Sequence, residues 1–427
     1  MTLLIFLVTL MLFILLGVPI AFSLLISGIA LMMYMDLFST QLVSQNLING
    51  VNNFPLMAVP FFILAGELMN RGGLSKRIID FSMTLLGHVR GGLGYVAILA
   101  CLLFAGLSGS AVADVAALGA ILIPMMAKAG YDRNRSAGLI AAGGIIAPMI
   151  PPSVSMILFG VTGGVSISQL FMAGIIPGIL MAVGLTIAWW LVMRKDTSVE
   201  KFPKKPLKEM LISSRHAVWA LVLPMIIVVG LRGGIFTPTE AAVIAVAYAF
   251  FVGFFIYREL KLKHLFSAFL VAAKMTSIVL FLAAAALYCA WLITVANIPR
   301  VITEFLGPFI NQQLLLLVLI VIIVIVIGTV MDLTPMILIL TPLLMPVVAE
   351  AGIHPVYFGV IFILANSIGL LTPPVGTVLN VACGVGKIGM VDIVKGVWPF
   401  LLAHIVILIL LILFPGIILV PLDWFIN

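Results

Sequence analysis

Ala147-Pro148-Met149-Ile150-Pro151-Pro152-Ser153-Val154-Ser155 and Gly369-Leu370-Leu371-Thr372-Pro373-Pro374-Val375-Gly376-Thr377 each hold a proline pair in apolar surroundings. A proline pair removes two backbone donors and forces the preceding residue, Ile150 or Thr372, out of the helical region. A helix has to unwind at both places. Adding 222 carries Pro151-Pro152 onto Pro373-Pro374, and with them Gly106 onto Gly328, Pro124 onto Pro346, Gly130 onto Gly352, Gly164 onto Gly386 and Pro177 onto Pro399. Of the five prolines between positions 106 and 190, four land on proline, so the agreement is an internal repeat. With a shift nearer 219, Phe61-Phe62-Ile63-Leu64-Ala65 faces Leu280-Phe281-Leu282-Ala283-Ala284, and Gly17-Val18-Pro19 faces Phe236-Thr237-Pro238.

Composition sets the medium in which that repeat folds. Of 427 residues, 64% are apolar or aromatic and 9% are charged, whereas water-soluble chains carry about 25% charged residues. A soluble enzyme is excluded, and so are a disordered chain, a collagen, a coiled coil and a disulfide scaffold. The expected fold class is an all-α polytopic membrane protein. Met1-Thr2-Leu3-Leu4-Ile5-Phe6 has no basic residue ahead of its apolar run and reads as a retained first span. Cys101, Cys289 and Cys383 lie in apolar stretches without metal-ligand spacing and read as packing residues.

The halves are expected at 1–193 and 217–427, joined by a basic linker at 194–216. That linker holds seven Lys/Arg, and by the positive-inside rule it is cytoplasmic. The net charge of +7 sits largely in such loops, so no nucleic-acid partner is inferred. A second basic group, Arg71, Lys76, Arg77 and Arg90, flanks Ile78 to Leu86 and predicts an interfacial amphipathic helix. Residues 3 to 33 are either one long span or two short ones broken at Gly17-Val18-Pro19. An odd number of crossings in the first half would invert the second, and interrupted segments at matching places favour inversion.

Gly106-Leu107-Ser108-Gly109-Ser110 divides Gly94 to Met126 into two pieces too short to span alone, which predicts a re-entrant helical hairpin. Gly328-Thr329-Val330-Met331-Asp332-Leu333-Thr334-Pro335 holds the same place in the second half, and the two polar tips are expected to approach each other at mid-membrane. Carbonyls freed at the proline pairs, beside Ser153 and Ser155 or Thr372 and Thr377, form a hard, neutral oxygen shell suited to sodium. Glycines also let helices pack closely. Packing alone does not call for Asp114 and Asp332, carboxylates at membrane depth that are candidate ion or substrate groups.

Glu67 and Glu240 stand near segment ends, where capping or a polar contact explains them as well as transport does. Gly106-Leu107-Ser108-Gly109 also matches the Gly-x-Ser-Gly pattern of intramembrane serine proteases, with His404 as the conceivable base for Ser108. The repeat disfavours this alternative, because a serine–histidine dyad has no use for a second copy of its surroundings.

Val59-Pro60-Phe61-Phe62-Ile63-Leu64-Ala65-Gly66-Glu67, Ser108-Gly109-Ser110-Ala111-Val112-Ala113-Asp114, Ile150-Pro151-Pro152-Ser153, Thr237-Pro238-Thr239-Glu240-Ala241-Ala242 and Leu371-Thr372-Pro373-Pro374-Val375-Gly376 together resemble the large membrane subunit of tripartite ATP-independent periplasmic (TRAP) transporters. The resemblance covers essentially the whole chain. It implies an inverted-repeat ion-transporter-superfamily fold of elevator type, with two re-entrant hairpins, two unwound helices and Na+ as coupling ion, without an organic cofactor. Carried over by position, Gly106, Ser108, Ser110, Pro151 and Ser153 would bear on a first sodium site. Gly328, Asp332, Thr372, Gly376 and Thr377 would bear on a second, and Asp114, Ser155, Asp332 and Thr334 would line the substrate path. The implied partners are a separate small four-helix membrane subunit, a periplasmic substrate-binding protein and an organic acid, with sialic acid and C4-dicarboxylates equally represented around Leu37 to Asn53 and Arg71 to Gly92. The implied location is the bacterial inner membrane.

Overall fold

Residues 1–194 and 202–426 are described by a computed structural model; Lys195, Asp196, Glu200 and Lys201 of the basic linker lie outside the described residues. The first half contains α1 (Thr2–Leu15), α2 (Ile20–Tyr34), α3 (Thr40–Val51), α4 (Ala58–Arg71), α5 (Leu74–Leu86), α6 (Gly92–Ser108), α7 (Ala111–Lys128), α8 (Arg133–Gly144), α9 (Val154–Gly163) and α10 (Ile167–Met193). The second contains α11 (Leu207–Arg232), α12 (Pro238–Phe251), α13 (Leu262–Val295), α14 (Ile298–Ile310), α15 (Gln313–Gly328), α16 (Leu333–Glu350), α17 (Pro355–Gly369), α18 (Thr377–Gly386), α19 (Met390–Leu413) and α20 (Gly416–Ile426). Among the described residues seven helices are long and apolar enough to cross a membrane, or eight if α3 and the Phe54–Arg71 segment, bent by 60°, make one span.

The repeat seen in sequence reappears in the helix bounds. Adding 222 to the ends of α7 gives those of α16, and the same shift carries the start of α8 onto the start of α17. Where the first half breaks between α3 and α4, the second runs straight through as α13. Packing is reciprocal as well: α7 lies against α18 and α16 against α9, while α8 meets α19 and α17 meets α10. Exchange of equivalent contacts is what a two-fold relation between similar units produces.

Residues 3 to 33 form two helices, not one. The chain turns at Gly17, in the left-handed region at φ +79°, and Pro19 stands at the start of α2, so α1 and α2 pack along each other. The amphipathic helix appears as α5, and its apolar residues Leu74, Ile78 and Ile79 are buried against α6 and α11. Its apolar side is thus covered by protein. Cys101 and Cys289 are buried, and Cys383 is half-buried.

Two polar contacts close the helical pairs that carry the tips. Trp189, near the end of α10, donates its indole N–H to the Gly91 carbonyl across 2.8 Å, and its ring stacks on Tyr131 at 6.0 Å. The start of α6 and the chain leaving α7 are therefore fastened to one side chain, so α6 and α7 form a hairpin. In the second half Gln313 Nε2 donates to the Ala351 carbonyl at 2.8 Å, which brings the start of α15 to the end of α16.

Candidate functional site

The first tip is built by a change of backbone hand. α6 ends at Ser108, Gly109 takes φ +61°, and Ser110 caps α7 by accepting from the Ala113 N–H at 3.4 Å. Ser108 Oγ accepts from the Ser110 N–H at 3.1 Å and donates to Oδ1 of Asp114, one turn into α7. Asp114 is fully buried, and its Oδ2 has no hydrogen-bond partner among the described residues.

This tip sits on the proline loop between α8 and α9. A Cβ added at Gly109 would stand 2.6 Å from the Pro152 carbonyl oxygen and 3.1 Å from Ser153 Cα, so only glycine fits. The Pro151–Pro152 peptide is cis. Ser153 Oγ donates to the Pro148 carbonyl at 2.7 Å and accepts from the Met156 N–H at 3.3 Å, which starts α9. Gly106 lies behind the loop, where a Cβ would be 3.5 Å from the Pro151 carbonyl oxygen. Gly106, Ser108, Ser110, Asp114, Pro151 and Ser153 are thus brought together.

The second tip follows the same plan with different chemistry. The Gly376 N–H donates to the Thr329 carbonyl at 3.0 Å, joining the tip to the proline loop between α17 and α18. Thr377 Oγ1 donates to Asp332 Oδ1 at 3.3 Å, and Asp332 occupies the N-cap position of α16, where a carboxylate meets the positive end of the helix. Gly328 and Gly369 cross backbone to backbone; a Cβ on Gly369 would lie 2.7 Å from Gly328 Cα. Thr372 Oγ1 donates to the Ile368 carbonyl at 2.8 Å, and the Pro373–Pro374 peptide is cis. Gly328, Asp332, Thr372, Gly376 and Thr377 therefore share one neighbourhood.

Ser155 is buried on the first turn of α9, and Thr334 is half-buried on the first turn of α16, each one residue or two beyond these networks. Gly109 rests on the proline loop of its own half and Thr329 is bonded to that of its own, while Gly106 also packs on Pro224 of α11; the halves meet further through α7 on α18 and α9 on α16. One polar group escaped sequence reasoning. Asn366, wholly buried on α17, donates Nδ2 to the Leu333 carbonyl at 3.5 Å, while its Oδ1 has no partner among the described residues. The signal was a lone amide within the apolar run Tyr357 to Leu371.

The remaining candidates resolve into structural roles. His404 Nε2 bonds the Ala142 carbonyl at 3.0 Å and Ser108 is paired with Asp114, so no Ser108–His404 dyad exists. Glu240 completes a capping box with Thr237 at the start of α12. Glu67 pairs with Arg71 one turn on, at 3.1 Å.

Comparison with known proteins places this architecture. A family described as "Tripartite ATP-independent periplasmic transporter, DctM component" matches residues 7–417. The chain is 51% identical over 424 residues to the 2,3-diketo-L-gulonate TRAP transporter large permease protein YiaN of Escherichia coli K12, covering 99% of this chain and 100% of that one. It is 36% identical over 399 residues to the sialic acid TRAP transporter large permease protein SiaM of Vibrio cholerae, covering 93% of each. In fold it is similar to the crystal structure of the Alcanivorax borkumensis YdaH transporter, with a TM-score of 0.62 at 15% identity over 87% of both chains. The chain belongs to the DctM-component family of tripartite ATP-independent periplasmic transporters, as a multi-pass large permease subunit and not an enzyme.

Proposed function

We propose that this permease imports an organic acid across the bacterial inner membrane by sodium symport, with the acid delivered by a periplasmic substrate-binding protein and the permease seated beside a small four-helix membrane subunit. The observation that carries the reading is the seating of each hairpin tip on an unwound proline loop, Gly109 on Pro152-Ser153 and Thr329 on Gly376. Each junction gathers carbonyl and hydroxyl oxygens, the donor chemistry that a small hard cation prefers. Ser108, Ser110, Pro151 and Ser153 hold the first ion, and Asp332, Thr372, Gly376 and Thr377 hold the second. Asp114, Ser155 and Thr334 face the acid. Relatives named for 2,3-diketo-L-gulonate and sialic acid support a carboxylate substrate.

The two hairpins enter from opposite sides, as inverted repeats require. Trp189 fastens the base of the first hairpin five residues before Arg194 and the basic linker, whose charge supports a cytoplasmic base for that hairpin. The same side gathers Arg77 and Glu259, paired at 2.8 Å, and Tyr257, whose hydroxyl donates to the His216 carbonyl at 2.5 Å. From there α13, at about 1.5 Å per residue, reaches across the whole membrane to α14 and Gln313, the base of the second hairpin. Segments 1–193 and 217–427 are the two repeats, and the hairpins with their unwound partners form the body that moves as an elevator. Bound ions stabilise the polar junctions and so bias which state that body occupies.

The test is uptake of the acid into liposomes holding this chain with its small subunit, driven by loaded binding protein, with and without an inward sodium gradient. Sodium-dependent uptake that is lost in Ser108→Ala and Asp332→Ala supports the assignment; uptake indifferent to sodium overturns it.

A further inference from the structure

A cavity of about 600 Å³ opens beside the base of the first hairpin, lined by Leu86, Val89 and Arg90 of the arm and its exit, Tyr95 of α6, and Thr186, Ile187 and Trp190 of α10. Its wall is mainly apolar, and among the described residues the charged group that lines it is basic. Arg90 lines it directly, and the Arg194 guanidinium stands 6.0 Å over the ring of Trp190, another wall residue. Leading away from the cavity, α10 exposes Ile179, Val183, Ile187, Trp190 and Leu191, spaced at three to four residues so that they form one continuous apolar track. Thr186 adds no competing donor, because its hydroxyl is spent on the Ala182 carbonyl at 2.8 Å.

We infer that this cavity is a binding site for an anionic phospholipid, with the phosphate held by Arg90 and Arg194 at the mouth and an acyl chain laid along the α10 track. Three features converge on a lipid. The cavity lies at the end of α10 that runs into the basic linker, the depth at which headgroup phosphates lie. Its guanidiniums present forked donors matched to phosphate oxygens. A free anion would use the guanidiniums but leave the apolar wall and track uncovered, whereas basic pockets between membrane helices on the cytoplasmic side suit acidic headgroups. The site also bridges two parts of the chain, the arm α5 on one wall and hairpin α6 with α10 on the other, joined through the Gly87–Gly92 connection. A lipid seated there contacts both sides of the joint through which the first hairpin is attached.

The experiment is native mass spectrometry of the full chain released from nanodiscs containing equal phosphatidylglycerol and phosphatidylethanolamine. Retention of phosphatidylglycerol over phosphatidylethanolamine by about tenfold or more is expected. In Arg90→Gln and in Arg194→Gln that preference falls about fivefold each. Ile187→Trp, which fills the cavity from α10 without touching either charge, lowers retention of phosphatidylglycerol and keeps the protein folded if the site is where we place it. Equal retention of the two lipids, unchanged preference in both arginine variants, or displacement of the lipid by inorganic phosphate overturns the inference.

Discussion

The indole N–H of Trp189 donates to the Gly91 carbonyl across 98 residues of sequence, at 2.8 Å, and so ties the end of α10 to the start of the first hairpin. The same ring stacks on Tyr131 as the chain leaves α7, and approaches Phe400 of α19 at 6.1 Å. Trp189→Phe keeps the stacking and orphans a buried carbonyl, for a loss of about 1–3 kcal/mol. Trp189→Ala adds a cavity, for a loss of about 3–5 kcal/mol. Thermal unfolding in detergent should rank the two in that order, and equal unfolding temperatures for both variants would contradict this role.

Gly109 and Gly164 both have positive φ, at +61° and +65°, yet their surroundings differ. A Cβ at Gly164 meets nothing within 4 Å, while one at Gly109 would press on the Pro152 carbonyl at 2.6 Å. Gly164→Ala should therefore show only the left-handed backbone penalty of about 1–2 kcal/mol and retain uptake. Gly109→Ala should unseat the tip and abolish uptake while the protein still inserts. Reconstituted uptake beside a thermal melt separates the two, and full activity in Gly109→Ala would remove the tight junction from the mechanism.

The hydrogen bond between Thr377 Oγ1 and Asp332 Oδ1, at 3.3 Å, couples the second proline loop to its tip. On the proposed sodium coupling, Asp332→Ala, Thr377→Val and the double variant form a thermodynamic cycle in the sodium concentration for half-maximal uptake. Residues sharing one network couple by about 0.5–3 kcal/mol. Strictly additive effects would mean that the two side chains serve separate sites.

Tyr257 lies just beyond the end of the α12 span, beneath Arg77, whose guanidinium stands 3.7 Å from the ring centre. Burial pushes its phenol up to about 12, against the opposing pull of Arg77. The folded state then holds this proton more tightly than the unfolded chain, whose phenol titrates near the ordinary value of 10.0. The resulting stabilisation is fully present below pH 10.0 and is lost as pH rises towards about 12. Unfolding temperatures measured across that alkaline window should fall for the native chain and fall less for Tyr257→Phe.

Much of the site was legible in the sequence because its makers act over a few residues. Proline pairs deny two donors wherever they stand, so the unwinding at Pro151-Pro152 and Pro373-Pro374 needed no tertiary information. Gly106, Ser108, Ser110, Gly328 and Asp332 were readable as tips because they interrupt apolar runs too short to span. For Glu240 the sequence left capping, a polar contact and transport open, and the box it forms with Thr237 selects capping.

Asn366 was not singled out, because its importance comes from burial beside Gly328 and from a carbonyl on another helix. The division of residues 3 to 33 into α1 and α2 was open for a related reason: Gly17 permits a turn, but only packing of the two helices decides that the turn is taken.

The sequence by itself determined that this chain lives in a membrane, that it is two related halves, and where each half must break, since hydropathy, donor loss and φ restriction are properties of short segments. Tertiary structure alone decided which loop each tip rests on, that Trp189 and Gln313 close the two hairpin bases, and that His404 has its partner on α8 and not at Ser108. Those pairings join residues 38 to 262 positions apart, and only the packed helices bring such atoms within hydrogen-bond reach.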